Sequence, residues 1–124
     1  MKSEEYLESI ISRIQRDYSL REFVKRKINQ KVDYYTHLRI VAKQLLTLFP
    51  IKKRGGRNPF ILAAAMINAA DIILARQKIF PECYLKKCRR GFLTQKKLSK
   101  ILDIAEFTLR EHYLLLAKPL IERF

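Results

Sequence analysis

The chain has 124 residues, one domain's length and enough for a single hydrophobic core. Hydrophobic residues make up 48%, with three glycines and four prolines, which excludes a disordered chain and a turn-rich β architecture. Twenty-six Lys and Arg against twelve Asp and Glu leave a net charge of +14, and the stretch from Tyr34 to Lys100 holds fifteen of those bases but only two acids, Asp71 and Glu82. Such a field attracts nucleic acid or an anionic surface and says little about fold. No uncharged apolar run reaches the roughly 18 residues of a membrane span, and Met1-Lys2-Ser3-Glu4-Glu5 does not open a signal peptide. The expectation is a soluble, cytoplasmic protein without a membrane partner.

Apolar spacing predicts helix nearly throughout. Leu7, Ile10, Ile11, Ile14 and Tyr18 form one stripe, predicting an amphipathic helix over residues 3 to 17 with Ser3 as its N-cap and Glu4 and Glu5 in the first turn. A second helix starts near Leu20 and carries Phe23, Val24 and Ile28. A third covers about 33 to 49, with Leu38, Val41, Leu45 and Leu48 on one face. Pro50 ends it, and Ile51-Lys52-Lys53-Arg54-Gly55-Gly56-Arg57 is a basic turn.

Asn58-Pro59 is an N-cap followed by proline at the first helical position. The residues after it, from Phe60 to Ala70, are apolar nearly all round, as expected of a buried central helix ending near Arg76. Residues 78 to 93 read as a basic loop with Cys83 and Cys88, either a local disulfide or two free thiols. Two cysteines with His37 and His112 at helical positions fall short of a zinc site, so neither metal nor other cofactor is expected.

Thr94 is positioned to cap a short helix from Gln95 to Leu102, with Leu98, Ile101 and Leu102 facing inward. A turn at Asp103-Ile104-Ala105 leads to a last helix from Glu106, and Asp103 and Glu106 stand at capping-box spacing. Two helices joined by so short a turn form the helix-turn-helix pattern. On the last helix Leu109, Tyr113, Leu116 and Leu120 suit a core, and Phe107, Arg110, Glu111 and Leu114 make a second stripe. In a helix-turn-helix the second helix reads the major groove. Phe107, Thr108 and Arg110 are therefore the candidate base contacts: an Arg fork matches guanine and an apolar ring matches the thymine methyl. Lys52, Lys53, Arg54, Arg57, Lys96 and Lys97 are the candidate phosphate contacts. No paired carboxylates, Gly-rich phosphate loop or nucleophile–base set occurs, so the chain is not expected to be an enzyme.

Three stretches in order resemble a core repeat of transcription factor B, the archaeal counterpart of the eukaryotic general factor TFIIB. They are Arg57-Asn58-Pro59 through Ala63-Ala64-Ala65 to Ala70, then Leu93-Thr94-Gln95-Lys96-Lys97-Leu98, then Glu106-Phe107-Thr108-Leu109-Arg110 with Tyr113. The resemblance covers residues 20 to 120 and implies a five-helix cyclin-like fold, all-α, ending in a helix-turn-helix. Residues 1 to 19 would then be an added N-terminal helix ahead of a cyclin-like domain over 20 to 124. It implies double-stranded DNA as ligand, the TATA-binding protein or other transcription machinery as partner, and an archaeal or archaeal-viral regulator. The family's base-contacting Val and Arg fall on Phe107 and Arg110, and Lys97 replaces its glutamate. The family has two repeats and a zinc ribbon where this chain has one repeat, so a homodimer through the N-terminal helix would restore the pairing. A second reading is a cyclin-fold adaptor whose basic patch meets an acidic protein, with Phe107 and Leu114 as apolar contacts.

Overall fold

The computed structural model describes residues 3–27, 34–49, 58–76 and 93–122. They are all-α, with no strand among them. The helices are α1 (Ser3–Arg16), α2 (Tyr18–Lys27), α3 (Tyr34–Leu48), α4 (Pro59–Arg76), α5 (Gln95–Leu102), α6 (Glu106–His112) and α7 (Lys118–Ile121), with a π-helical turn, Tyr113–Ala117, between the last two.

The centre is α4. Its start follows from its sequence: the Asn58 side chain accepts from the amides of Phe60 at 2.9 Å and Ile61 at 3.3 Å, and Pro59 has no amide to satisfy. From Leu62 to Ala70 every residue is buried. The small side chains of Ala63, Ala64, Ala65, Ala69 and Ala70 let neighbours approach closely, and α1, α3, α5, α6, the π-turn and α7 all pack on this helix. Its length and apolar character alone would suit a membrane span, yet it is buried inside the fold and carries Asn68 and Asp71 in hydrogen bonds.

The helix α1 places Leu7, Ile10, Ile11 and Ile14 fully inside the same buried cluster as α3 and α4. Burial of such side chains stabilises by roughly 2 kcal/mol each. The apolar stripe is thus occupied by the chain's own core. Tyr6 adds an edge-to-face contact with Phe60, ring centroids 5.4 Å apart. At the other end of α1, the Arg13 guanidinium donates to the Ile101 carbonyl at 3.3 Å, tying α1 to α5.

Two helix ends differ from the sequence expectation. Ser3 is itself helical and buried, rather than an exposed cap ahead of α1. Asp17, expected as the last residue of the first helix, instead starts the second. Its side chain accepts from the Leu20 amide at 2.9 Å, and its carbonyl from Arg21 at 2.9 Å, so α2 begins at Tyr18. The apolar stripe continues through Tyr18, but a carboxyl at an N-cap outcompetes one more turn of helix.

Glu8 bridges α1 to α3, meeting Arg39 Nε and Lys43 Nζ at 3.0 Å each. The Lys43 hydrogen bond above all, aided by the charges of Arg39 and Lys43, holds its carboxyl below the ordinary value of 4.5, against a smaller opposing effect of burial. A carboxylate whose folded value is depressed contributes stability above the unfolded value, and loses it as pH falls through the folded one. Since Glu8 is about half exposed, screening limits the contribution to under about 1 kcal/mol. Glu8→Gln should therefore lower the urea midpoint slightly at pH 7. At a pH well under 4.5 the gap from the parent protein should close. A gap that persists at low pH would assign the effect to packing.

Candidate nucleic-acid interface

The interface candidate begins with how α5 is launched. Leu93 enters the core 2% exposed, and both of its backbone groups are held by α4 side chains. Its amide donates to Asp71 Oδ2 at 2.9 Å, and its carbonyl accepts from Asn68 Nδ2 at 3.2 Å. The other Asp71 oxygen accepts from the Tyr34 hydroxyl of α3 at 2.6 Å, and the Gln95 amide reaches Asn68 Oδ1 at 3.4 Å. Asp71 is fully buried, and an unmade hydrogen bond there would be costly. These bonds join α3, α4 and the entry to α5. The sequence signal for them was a polar pair three residues apart in an otherwise apolar helix, and sequence reasoning passed over it.

Thr94 then caps α5 as expected: in an extended conformation, its hydroxyl accepts from the Lys97 amide at 3.0 Å. At the far end Asp103 adopts the left-handed conformation, φ 55° and ψ 49°. The Ile104 amide returns to Ser99 O at 3.0 Å and the Asp103 amide to Lys100 O at 3.4 Å, closing a Schellman pair. The expected capping box is overturned here. Asp103 ends α5 instead of capping α6, whose N-cap is Ala105 without a side-chain bond. Glu106 turns to Arg110, 3.3 Å away on the next turn. Glycine is the easy residue at such a position, but Asp tolerates it better than most. Ile104 meanwhile packs against the core, which fixes the turn.

On α6, Leu109 is fully buried, while Phe107 is 72% exposed on the outer surface. Arg110 is exposed and already ion-paired to Glu106. Thr108 is half-buried, and its carbonyl accepts from His112 Nδ1 at 2.9 Å. Lys96 and Lys100 are exposed on α5, and Lys97 is half-buried. Thus Phe107 and Arg110 reach solvent from one helix, and Lys96 and Lys97 from the helix before it. Lys52, Lys53, Arg54, Arg57, Cys83 and Cys88 lie outside the described residues. Among the described residues no three His, Cys, Asp or Glu side chains cluster to hold a metal.

Past His112 the helix widens. The Lys118 amide bonds to Tyr113 O, five residues back, and Pro119 has no amide to offer in the following turn. The extra residue advances the buried stripe: Ala117, Leu120 and Ile121 are buried, with Tyr113 and Leu116 only partly so. Leu114 and Leu115 are left exposed beside Phe107's helix, at 47% and 59%. Proline four residues beyond Leu115 is a local signal for such a distortion, and the expected 109, 113, 116, 120 stripe took no account of it.

Between the end of α4, the start of α5 and the C-terminal helices lies a cleft of about 660 Å³. Arg76, Gln95, Lys96, Arg110, Tyr113 and Lys118 line it. Burial pushes the Tyr113 phenol above its ordinary value, with the Arg76 guanidinium opposing, so it is a hydrogen-bond donor at neutral pH. Sequence reasoning named Lys96 and Arg110 here, but not Arg76, Tyr113 or Lys118. No family model, curated protein or solved structure matches the chain.

Proposed function

We propose that this protein is a double-stranded DNA-binding regulator of transcription that reads DNA with α6. The observation carrying this reading is the exposure of Phe107 and Arg110 on a short helix, set by a three-residue turn behind the firmly capped α5, in a chain of net charge +14. In this reading α5, the turn and α6 are a helix-turn-helix at the end of a cyclin-like domain. Phe107, Thr108 and Arg110 meet base edges, and Lys96 and Lys97 hold phosphates. Lys52, Lys53, Arg54 and Arg57 add phosphate contacts from the basic stretch before α4. The resemblance to a transcription factor B core repeat supports the same reading and adds the TATA-binding protein, or another part of the initiation machinery, as partner.

Arg110 enters a groove at a cost, since it must exchange the Glu106 carboxylate for a base. A guanine edge accepts both of its donors, which the single 3.3 Å contact to Glu106 does not. Binding-site selection on randomised duplexes should enrich a motif that Arg110→Ala loses, with about 1–3 kcal/mol less affinity for the selected site. Lys96→Ala should weaken selected and random duplexes alike. Equal losses on both for Arg110→Ala would remove its base-reading role. The alternative, an adaptor for an acidic protein, is favoured by one observation: Phe107 on α6 and Leu114 and Leu115 in the π-turn are exposed apolar groups. Absence of duplex binding at low salt, together with capture of a defined acidic partner lost in Phe107→Ala, would replace the DNA reading by this one.

A further inference from the structure

The cleft behind α6 gathers more positive charge than the groove-reading role uses, since Arg76 and Lys118 have no part in it. Four basic side chains line it, Arg76, Lys96, Arg110 and Lys118, against one carboxylate, Glu106. Glu106 is taken by Arg110, so three cations from three different helices face the cleft without an ion pair among the described residues. Like charges gathered at a partly enclosed site repel one another, and the repulsion is relieved by an anion bound among them. Neutral donors converge there too: the Tyr113 hydroxyl and the Gln95 amide. The first-turn amides of α5 at Gln95 and Lys96 have no carbonyl behind them in the helix, and the Thr94 hydroxyl satisfies only that of Lys97.

The volume is within the range of small-molecule sites, about 300–1,000 Å³. Charge selects the class of ligand. A carboxylate would leave most of the excess in place, whereas a phosphate ester or diphosphate, with two or three charges and several acceptor oxygens, matches three cations and their donors. We propose that this cleft is a phosphate-binding site, in which Arg76, Lys96 and Lys118 hold a phosphate or diphosphate group and the Tyr113 hydroxyl donates to it. The group belongs either to a free phosphorylated ligand or to the backbone of a bound nucleic acid. The site does not depend on Phe107 or on base reading.

Isothermal titration of the full chain with inorganic pyrophosphate, at constant ionic strength, tests the site. The double variant Arg76→Gln, Lys118→Gln should bind at least about tenfold more weakly, since two charge-assisted hydrogen bonds are lost. Lys96→Gln should weaken binding in the same direction. Arg16→Gln with Arg21→Gln removes the same charge from exposed positions outside the cleft, and should change affinity by less than about twofold if the attraction is local. All five positions substituted are exposed, and circular dichroism confirms that each variant is folded. No binding of pyrophosphate to the parent chain overturns the proposal, as does an equal loss in the Arg16, Arg21 control. The source of the phosphate is read from a duplex. If pyrophosphate competes with DNA and the cleft variant lowers the salt slope by about two, the ligand is a nucleic-acid backbone. If duplex binding ignores both, the ligand is a free phosphorylated molecule, and the site stands. A parent chain that binds pyrophosphate but no duplex removes the DNA-binding reading and leaves the cleft intact.

Discussion

Asp71→Ala should destabilise the protein by about 3–5 kcal/mol, the largest loss expected of any single substitution here. The change strands the Tyr34 hydroxyl, 2.6 Å from Asp71, and the Leu93 amide, 2.9 Å from it, in a site with no exposure. Each orphaned buried donor costs about 1–3 kcal/mol, and the missing carboxyl leaves a void. Domains of this kind are stable by only about 5–15 kcal/mol, so a substantial unfolded fraction should follow. Tyr34→Phe removes one bond and strands no donor, so its loss should be smaller, about 1–2 kcal/mol. Urea melts with an unchanged slope would measure both, and the two losses should not add, because the residues share one bond. Hydrogen exchange supplies a local readout. The Leu93 amide should lose protection in Asp71→Ala even under conditions where the rest of the core is intact. A loss under about 1 kcal/mol with Leu93 still protected would mean that the α5 entry is held by packing alone.

The second large effect is on binding. If the six named lysines and arginines neutralise phosphates, the logarithm of duplex affinity should fall linearly with the logarithm of salt concentration, with a slope near −5. Between 50 and 200 mM salt that amounts to about a thousandfold. Fluorescence anisotropy on a labelled random duplex would give the slope directly. Base contacts hardly alter it, so Arg110→Ala should shift the line for a selected site more than it tilts it. A slope shallower than about −2 would exclude a six-phosphate footprint and favour the adaptor reading, in which few counterions are released.

Much of the helical framework was legible because its signals are local. Asn58-Pro59 before an apolar run, and Thr94 before Gln95, are N-cap patterns whose hydrogen bonds close within three residues, and both form as the sequence implies. Burial of α4 was readable from its lack of any polar face. Asp17 and Asp103 were misassigned for a related reason. An acidic side chain between two helices suits the end of one or the start of the next, and only the neighbouring backbone decides. The widening at Tyr113–Ala117 had a marker in Pro119, but its effect on the buried stripe depends on what the following turn packs against.

The two helices around the turn at 103–105 remain the feature on which the proposed function rests, and the sequence by itself determined the bounds of α5, the start of α6, the cap at Thr94 and their charge. Those properties depend on residues a few positions apart, so short-range chemistry suffices. Tertiary structure decided the rest. It buried Asp71 and set it between Tyr34, 37 residues earlier, and Leu93, 22 residues later. It brought Arg76, Lys96 and Lys118 to one cleft from the ends of three helices. It also gave α1's apolar face to the core. Each of these is a meeting of residues far apart in the chain, where periodicity carries no information and only the packing around α4 selects the partners.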